Sequence, residues 1–147
     1  MSGAAMPEQI TKVAVITGAA RGIGLTTAKK FLSQGWRVAL LDIDGQTLLQ
    51  AAGALSPAVN VMALTCDVAD PEQVGSAIDQ AMDRFGRIDA LVNNAGTAVF
   101  KPLLETNFDE WQRVLDVNLS GPFLCSQACA PAMIAVGGGS IVNITSV

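Results

Sequence analysis

The stretch TGAARGIG, Thr17 to Gly24, combines residue types suited to holding a phosphate with main-chain atoms. Gly18, Gly22 and Gly24 let a backbone turn sharply and approach a pyrophosphate with no Cβ in the way. A helix starting there offers free N–H groups and a partial positive charge to the phosphates. Many glycine turns bind nothing, so the context decides. Here the loop follows an apolar run, opens helical spacing, and has Asp42 at the end of the next apolar run. That is close to the interval of about 20 residues between a dinucleotide loop and its ribose-binding acid. The carboxylate of Asp42 can accept both ribose hydroxyls of NAD. A 2′-phosphate would face it at a cost of about 3 kcal/mol per unit charge, for ~5 Å and an effective dielectric of about 20. Ile43 offers no compensating charge and Arg21 offers one, so NAD is favoured over NADP. The alternative for Asp42 is a solvated strand end.

Two further residues could take part in chemistry. Pro122 has no N–H, so the carbonyl of Asn118 loses its helical partner and is pushed aside by the ring. The sequence predicts a kink with a free carbonyl at Asn118, either a functional acceptor or a bend following a curved core. Ser146 follows the apolar run SIVNIT, and a hydroxyl there can donate to a carbonyl oxygen and steady developing charge. Thr145 and Ser140 read more plainly as strand residues. The chain has no histidine and no tyrosine, which excludes His-based triads, and no metal site is expected.

The elements that must position these residues repeat one rhythm. Apolar strand runs are expected at 12–17, 37–42, 59–65, 88–93 and 140–145. Helical spacing follows the first from Ile23 to Leu32, with Gly35 as a stop. A second helix runs from about Asp44 towards Leu55. Asp70, Pro71 and Glu72 form the start of a third, which ends at Gly86. A long helix carrying Asn118 lies before the last run. Strands alternating with helices imply right-handed crossovers and a parallel sheet covered on both faces, an α/β doubly wound fold in three layers.

Composition narrows the classes. The chain has 147 residues, enough for one domain, with 50% hydrophobic and 15% charged residues. A net charge of −4 without a basic block argues against a nucleic-acid surface. No apolar run reaches the ~20 residues that span a bilayer, and the first residues do not resemble a secretory signal. Three cysteines without a CxxC support neither a disulfide framework nor zinc, and Cys125 and Cys129 read as small core residues of a helix. A cytoplasmic protein is the expectation.

The T-G-x-x-x-G-x-G spacing of the glycine loop resembles that of the short-chain dehydrogenase/reductase family. The likeness continues through CDVAD (66–70), NNAG (93–96), VNLSGPF (117–123) and GGSIVNITS (138–146). It implies a Rossmann-type sheet and an oxidoreductase that moves hydride between a nicotinamide and an alcohol or carbonyl substrate. On this likeness Gly18, Arg21, Gly22, Ile23 and Gly24 wrap the pyrophosphate and nearby ribose, and Asp67 and Val68 hold the adenine. Asn94, Ala95 and Gly96 flank the cofactor, while Asn93 and Asn94 pin neighbouring strands; support and direct contact stay equally open for the asparagines. The backbone carbonyl at Asn118 would hold a water in a proton relay. Ser146 would partner a Tyr in a Tyr-x-x-x-Lys turn, a segment not found in these residues. Assembly into a homo-oligomer, tetramer or dimer, is implied by resemblance alone.

The competing expectations are the N-terminal part of such an oxidoreductase, or a non-catalytic dinucleotide-binding module or assembly partner. A methyltransferase using S-adenosylmethionine shares the glycine loop and the acid, but the ordered family motifs disfavour it. An apolar fifth strand at a sheet edge favours the first, with residues 1–147 forming one NAD(P)-binding domain of a larger fold. The substrate cannot be read. Val99, Phe100 and Pro102 are equally candidates for a pocket wall or for core.

Overall fold

The computed structural model describes residues 10–145. Ser146 lies outside the described residues, so its placement is not part of the structure. The chain forms β1 (Val13–Thr17), α1 (Gly22–Ser33), β2 (Arg37–Asp42), α2 (Gly45–Gly53), β3 (Val61–Thr65), α3 (Pro71–Phe85) and β4 (Ala90–Asn93). There follow α4 (Phe108–Leu115), a π turn (Asp116–Ser120), α5 (Gly121–Ala135) and β5 (Ser140–Asn143).

All pairings in the sheet are parallel, in the order β3-β2-β1-β4-β5. Alternation along each strand sends its apolar residues to both faces. Val13 and Val15 of β1 join a cluster with Leu41, Leu91, Val74, Ile78 and the α5 cysteines. Ala14 and Ile16 join Leu32, Leu40, Leu48 and Val92 on the other face. This is the three-layer doubly wound fold that the strand–helix rhythm predicts. The chain leaves β1 towards β2 and β3, then returns to place β4 on the opposite side of β1. That reversal opens a crevice at the carboxyl ends of β1 and β4, where open α/β sheets bind ligands.

The helix starts obey local rules. Asp44 caps α2 by accepting from Thr47 N–H, Asp70 caps α3 by accepting from Glu72 and Gln73 N–H, and Asn107 with Glu110 forms a capping box for α4. Arg21, before α1, makes no side-chain cap.

Several features differ from the sequence expectation. Residues 58–60 form a 3₁₀ turn, closed by Asn60 N–H on the Pro57 carbonyl, so the third strand begins at Val61 rather than Val59. The fourth begins at Ala90 rather than Ile88, because the Asp89 side chain accepts the Val13 N–H at the sheet entrance. The fifth ends at Asn143 rather than Thr145. The kink expected at Asn118 takes the form of a π turn: Gly121 N–H donates to the Asp116 carbonyl five residues back, an extra residue that accommodates the missing donor of Pro122.

Candidate functional site

At the carboxyl ends of the strands lies a cavity of about 340 Å³. Its walls carry Gly18, Arg21, Asp42, Asp67, Val68, Asn94, Ala95 and Gly96 from the sequence-derived set, with Ile43, Asp44, Cys66, Thr97, Arg113 and Val117 added by the fold. Gly22, Ile23 and Gly24 stand off the cavity in the first turn of α1.

The glycine loop is shaped by contact. A Cβ on Gly24 would lie 2.3 Å from the Gly18 carbonyl oxygen and 2.7 Å from Asn94 Nδ2. Gly18 has φ +63°, and a Cβ there would approach the Ala95 Cα to 2.8 Å. The loop, the start of α1 and the turn after β4 therefore pack backbone to backbone. With α1 uncapped by any side chain, its first N–H groups remain for an anion. These features fit the pyrophosphate of a dinucleotide.

Thr17 locks this arrangement and was not picked out by the sequence reading. Its buried hydroxyl accepts from both Asn94 N–H and Ala95 N–H at 3.0 Å. Asn94 Nδ2 donates to the Thr17 and Gly18 carbonyls at 3.1 Å, so its amide supports the loop. Asn93 Nδ2 donates to Asn143 Oδ1 at 2.9 Å and ties β4 to β5. A hydroxyl that ends a strand looks ordinary in sequence; only the β1–β4 pairing gives it two donors.

Asp42 serves two loops. Its Oδ2 accepts from Ala20 N–H at 2.9 Å and its Oδ1 from Asp44 N–H at 3.0 Å. Each oxygen keeps a lone pair for a hydroxyl donor. Arg21 is paired with Asp44, so its charge is already balanced beside the cavity. Hydrogen bonds from Thr47, side chain first and then backbone, and the Arg21 charge hold the Asp44 carboxyl below its usual range.

Across the cavity, Asp67 accepts from Ala69 N–H at 3.0 Å and is ion-paired with Arg113 at 2.9 Å. Val68 is buried against Gly121, where a Cβ would come within 2.9 Å of its Cγ2. The Cys66 thiol in the wall is pushed up to about 11 by burial, with Asp67 and Asp70 adding to it, so it stays protonated. Among the described residues no group of three or more His, Cys, Asp or Glu side chains could hold a metal ion.

Asn118 sits on the π turn beside the cavity. Its Oδ1 accepts Thr97 N–H and its Nδ2 donates to the Thr97 carbonyl, both at 2.8 Å. The side chain thereby clamps the turn after NNAG to the helix, a second task that the proline argument did not reveal. Val99 lines a neighbouring cavity, whereas Phe100 and Pro102 are exposed and belong neither to the core nor to a wall described here.

The family model for short chain dehydrogenases matches residues 12–147. The chain belongs to the short-chain dehydrogenase family. Within it, the D-threitol dehydrogenase of Mycolicibacterium smegmatis is 41% identical over 136 residues, covering 92% of this chain and 52% of that enzyme. A short-chain dehydrogenase/reductase from Burkholderia phymatum, solved in complex with NAD, superposes with a TM-score of 0.88 at 34% identity, covering 96% of this chain and 51% of that one. A metagenomic short-chain oxidoreductase in complex with NADP gives 0.86 at 38% identity, covering 92% and 62%. The chain thus spans about half the length of the curated short-chain dehydrogenase relatives it matches.

Proposed function

We propose that residues 1–147 are the dinucleotide-binding domain of an oxidoreductase that interconverts a small alcohol and its carbonyl compound, with NAD preferred to NADP. The observation that carries this is the glycine loop, packed by Gly18 and Gly24 against the turn after β4, with Gly18 and Arg21 lining one cavity with Asp42. Solved relatives bind NAD in one case and NADP in another, so the choice rests on this chain's own charges. Asp42 faces the cavity, and Arg21 is held by Asp44 rather than free for a 2′-phosphate.

The nicotinamide, when bound, supplies the hydride acceptor or donor. Gly18, Arg21, Gly22, Ile23 and Gly24 bind the pyrophosphate and nearby ribose, Asp42 the adenosine ribose, and Asp67 and Val68 the adenine. Asn94, Ala95 and Gly96 border the cofactor. Ser146 donates to the substrate oxygen, and the Asn118 carbonyl accepts from a water that moves protons. With no tyrosine, these residues alone bind the dinucleotide without turnover. Buried free thiols suit a reducing cytoplasm. Exposed Phe108, Trp111, Leu119 and Phe123 on the α4–α5 segment support self-association.

Titration of the intact protein with both coenzymes tests the reading. Asp42→Ala should weaken NAD, tighten NADP and narrow their ratio by at least about tenfold. An unchanged ratio removes Asp42 from cofactor choice. Absence of binding to either coenzyme in the wild type removes the function itself.

A further inference from the structure

Arg113 reaches from α4 to the cavity wall, where its Nη1 lies 2.9 Å from Asp67 Oδ2. It also lines, with Thr97, the second cavity of about 320 Å³ that contains Val99 and Val114, so it stands in the partition between the two. Asp67 is held from several directions. Its own N–H donates to Gln73 Oε1, its Oδ1 accepts from Ala69 N–H, and Arg113 takes Oδ2. Each carboxylate oxygen has one partner and keeps acceptor capacity, and Asp67 lines the cavity. The arginine side chain is 45% exposed, and a rim pair of that kind adds little to folding. Its effect is on direction and charge. Without it, one side of Asp67 is free to swing, and an unpaired negative charge borders a site shaped for phosphates.

We propose that Arg113 is a positioning residue for the purine end of the cofactor, acting through Asp67. It aims the Asp67 carboxylate at an exocyclic amine, which an acceptor-only group can recognise, and cancels its charge near the anionic phosphates. This rests on the proposed placing of the adenine against Asp67. A ligand met by a fixed carboxylate does not lose affinity to ordering that side chain on binding.

The test is a double-mutant cycle in the intact protein, with AMP and NAD as titrants and a ligand-free melt of every variant. Arg113→Met should weaken both ligands by about three- to tenfold. In an Asp67→Asn background the same change should have less than about a twofold effect, and Arg113→Lys should recover part of the loss. Equal factors in both backgrounds, or unchanged AMP affinity in Arg113→Met, overturn the proposal. Arg113→Gln gives the same reading if Arg113→Met does not fold. The underlying reading fails separately, if the wild type binds neither ligand or Asp67→Asn leaves AMP unchanged.

Discussion

β1 and β5 are short parallel strands with similar apolar sequences, VAVIT and SIVN, yet all five residues of β1 are buried and all four of β5 are exposed. β1 lies between β2 and β4, with a core cluster on each face; among the described residues β5 pairs with β4 alone. The adjoining loops differ in the same sense. After β1, Gly24 is pressed to within 2.3 Å of the Gly18 carbonyl by its would-be Cβ. Before β5, Gly137 has φ +90° and nothing within 4 Å of such an atom. Gly24 is required by contact, Gly137 by backbone conformation alone. The cofactor site is built after β1, where the turn after β4 on one side and Asp42 of β2 on the other hold the loop.

The largest test of this contrast is in the strands. In chemical denaturation of the 147-residue chain, Ile16→Ala should cost about 2–5 kcal/mol and Ile141→Ala less than about 1 kcal/mol. Equal losses would show that β5 is as covered in solution as β1.

The loops give a smaller effect in stability and a sharper one in binding. Gly24→Ala meets backbone that cannot yield cheaply, at about 1–3 kcal/mol, and should abolish measurable NAD binding. Gly137→Ala should cost about 1–2 kcal/mol from its left-handed backbone while NAD affinity stays within about twofold. Retained binding in Gly24→Ala would break the comparison.

The smallest effect concerns acid. Burial pushes the Asp89 carboxyl up, but the Arg87 hydrogen bond, the Val13 N–H and the charges of Arg87 and Lys12 outweigh it and hold it below its usual value. A depressed carboxylate contributes stability that is present above its unfolded value and is lost as pH falls through the folded one. Asp89 fastens the entrance of β1. Asp89→Asn should therefore lower stability at about pH 6 and flatten its decline towards about pH 3, measured by denaturation at each pH. An unaltered slope would separate β1 from this clasp.

Much of this was legible before the fold. Apolar runs, the Asp44 and Asp70 caps and the glycine stops located the elements, because those signals act over a few neighbouring residues. Val59 misled, since an exposed valine in a 3₁₀ turn continues the apolar run of β3. Pro122 announced an interrupted helix, but not that an added residue would absorb the interruption as a π turn. The glycine loop, Asp42 and Asp67 stood out through motif and spacing. Thr17, Thr97 and Arg113 did not, because their partners lie far along the chain or depend on strand order.

The amino-acid sequence by itself determined the alternation of strands and helices, the parallel sheet and the family. Residue periodicity and short ordered motifs carry those properties, and they need no distant contact. Tertiary structure decided which glycines are pressed by a neighbouring backbone, that the Thr17 hydroxyl serves two donors, and that Arg113 meets Asp67. Each depends on placing β4 beside β1 and α4 over the strand ends. Local propensity encodes the strands, whereas chain reversal and packing set these distances.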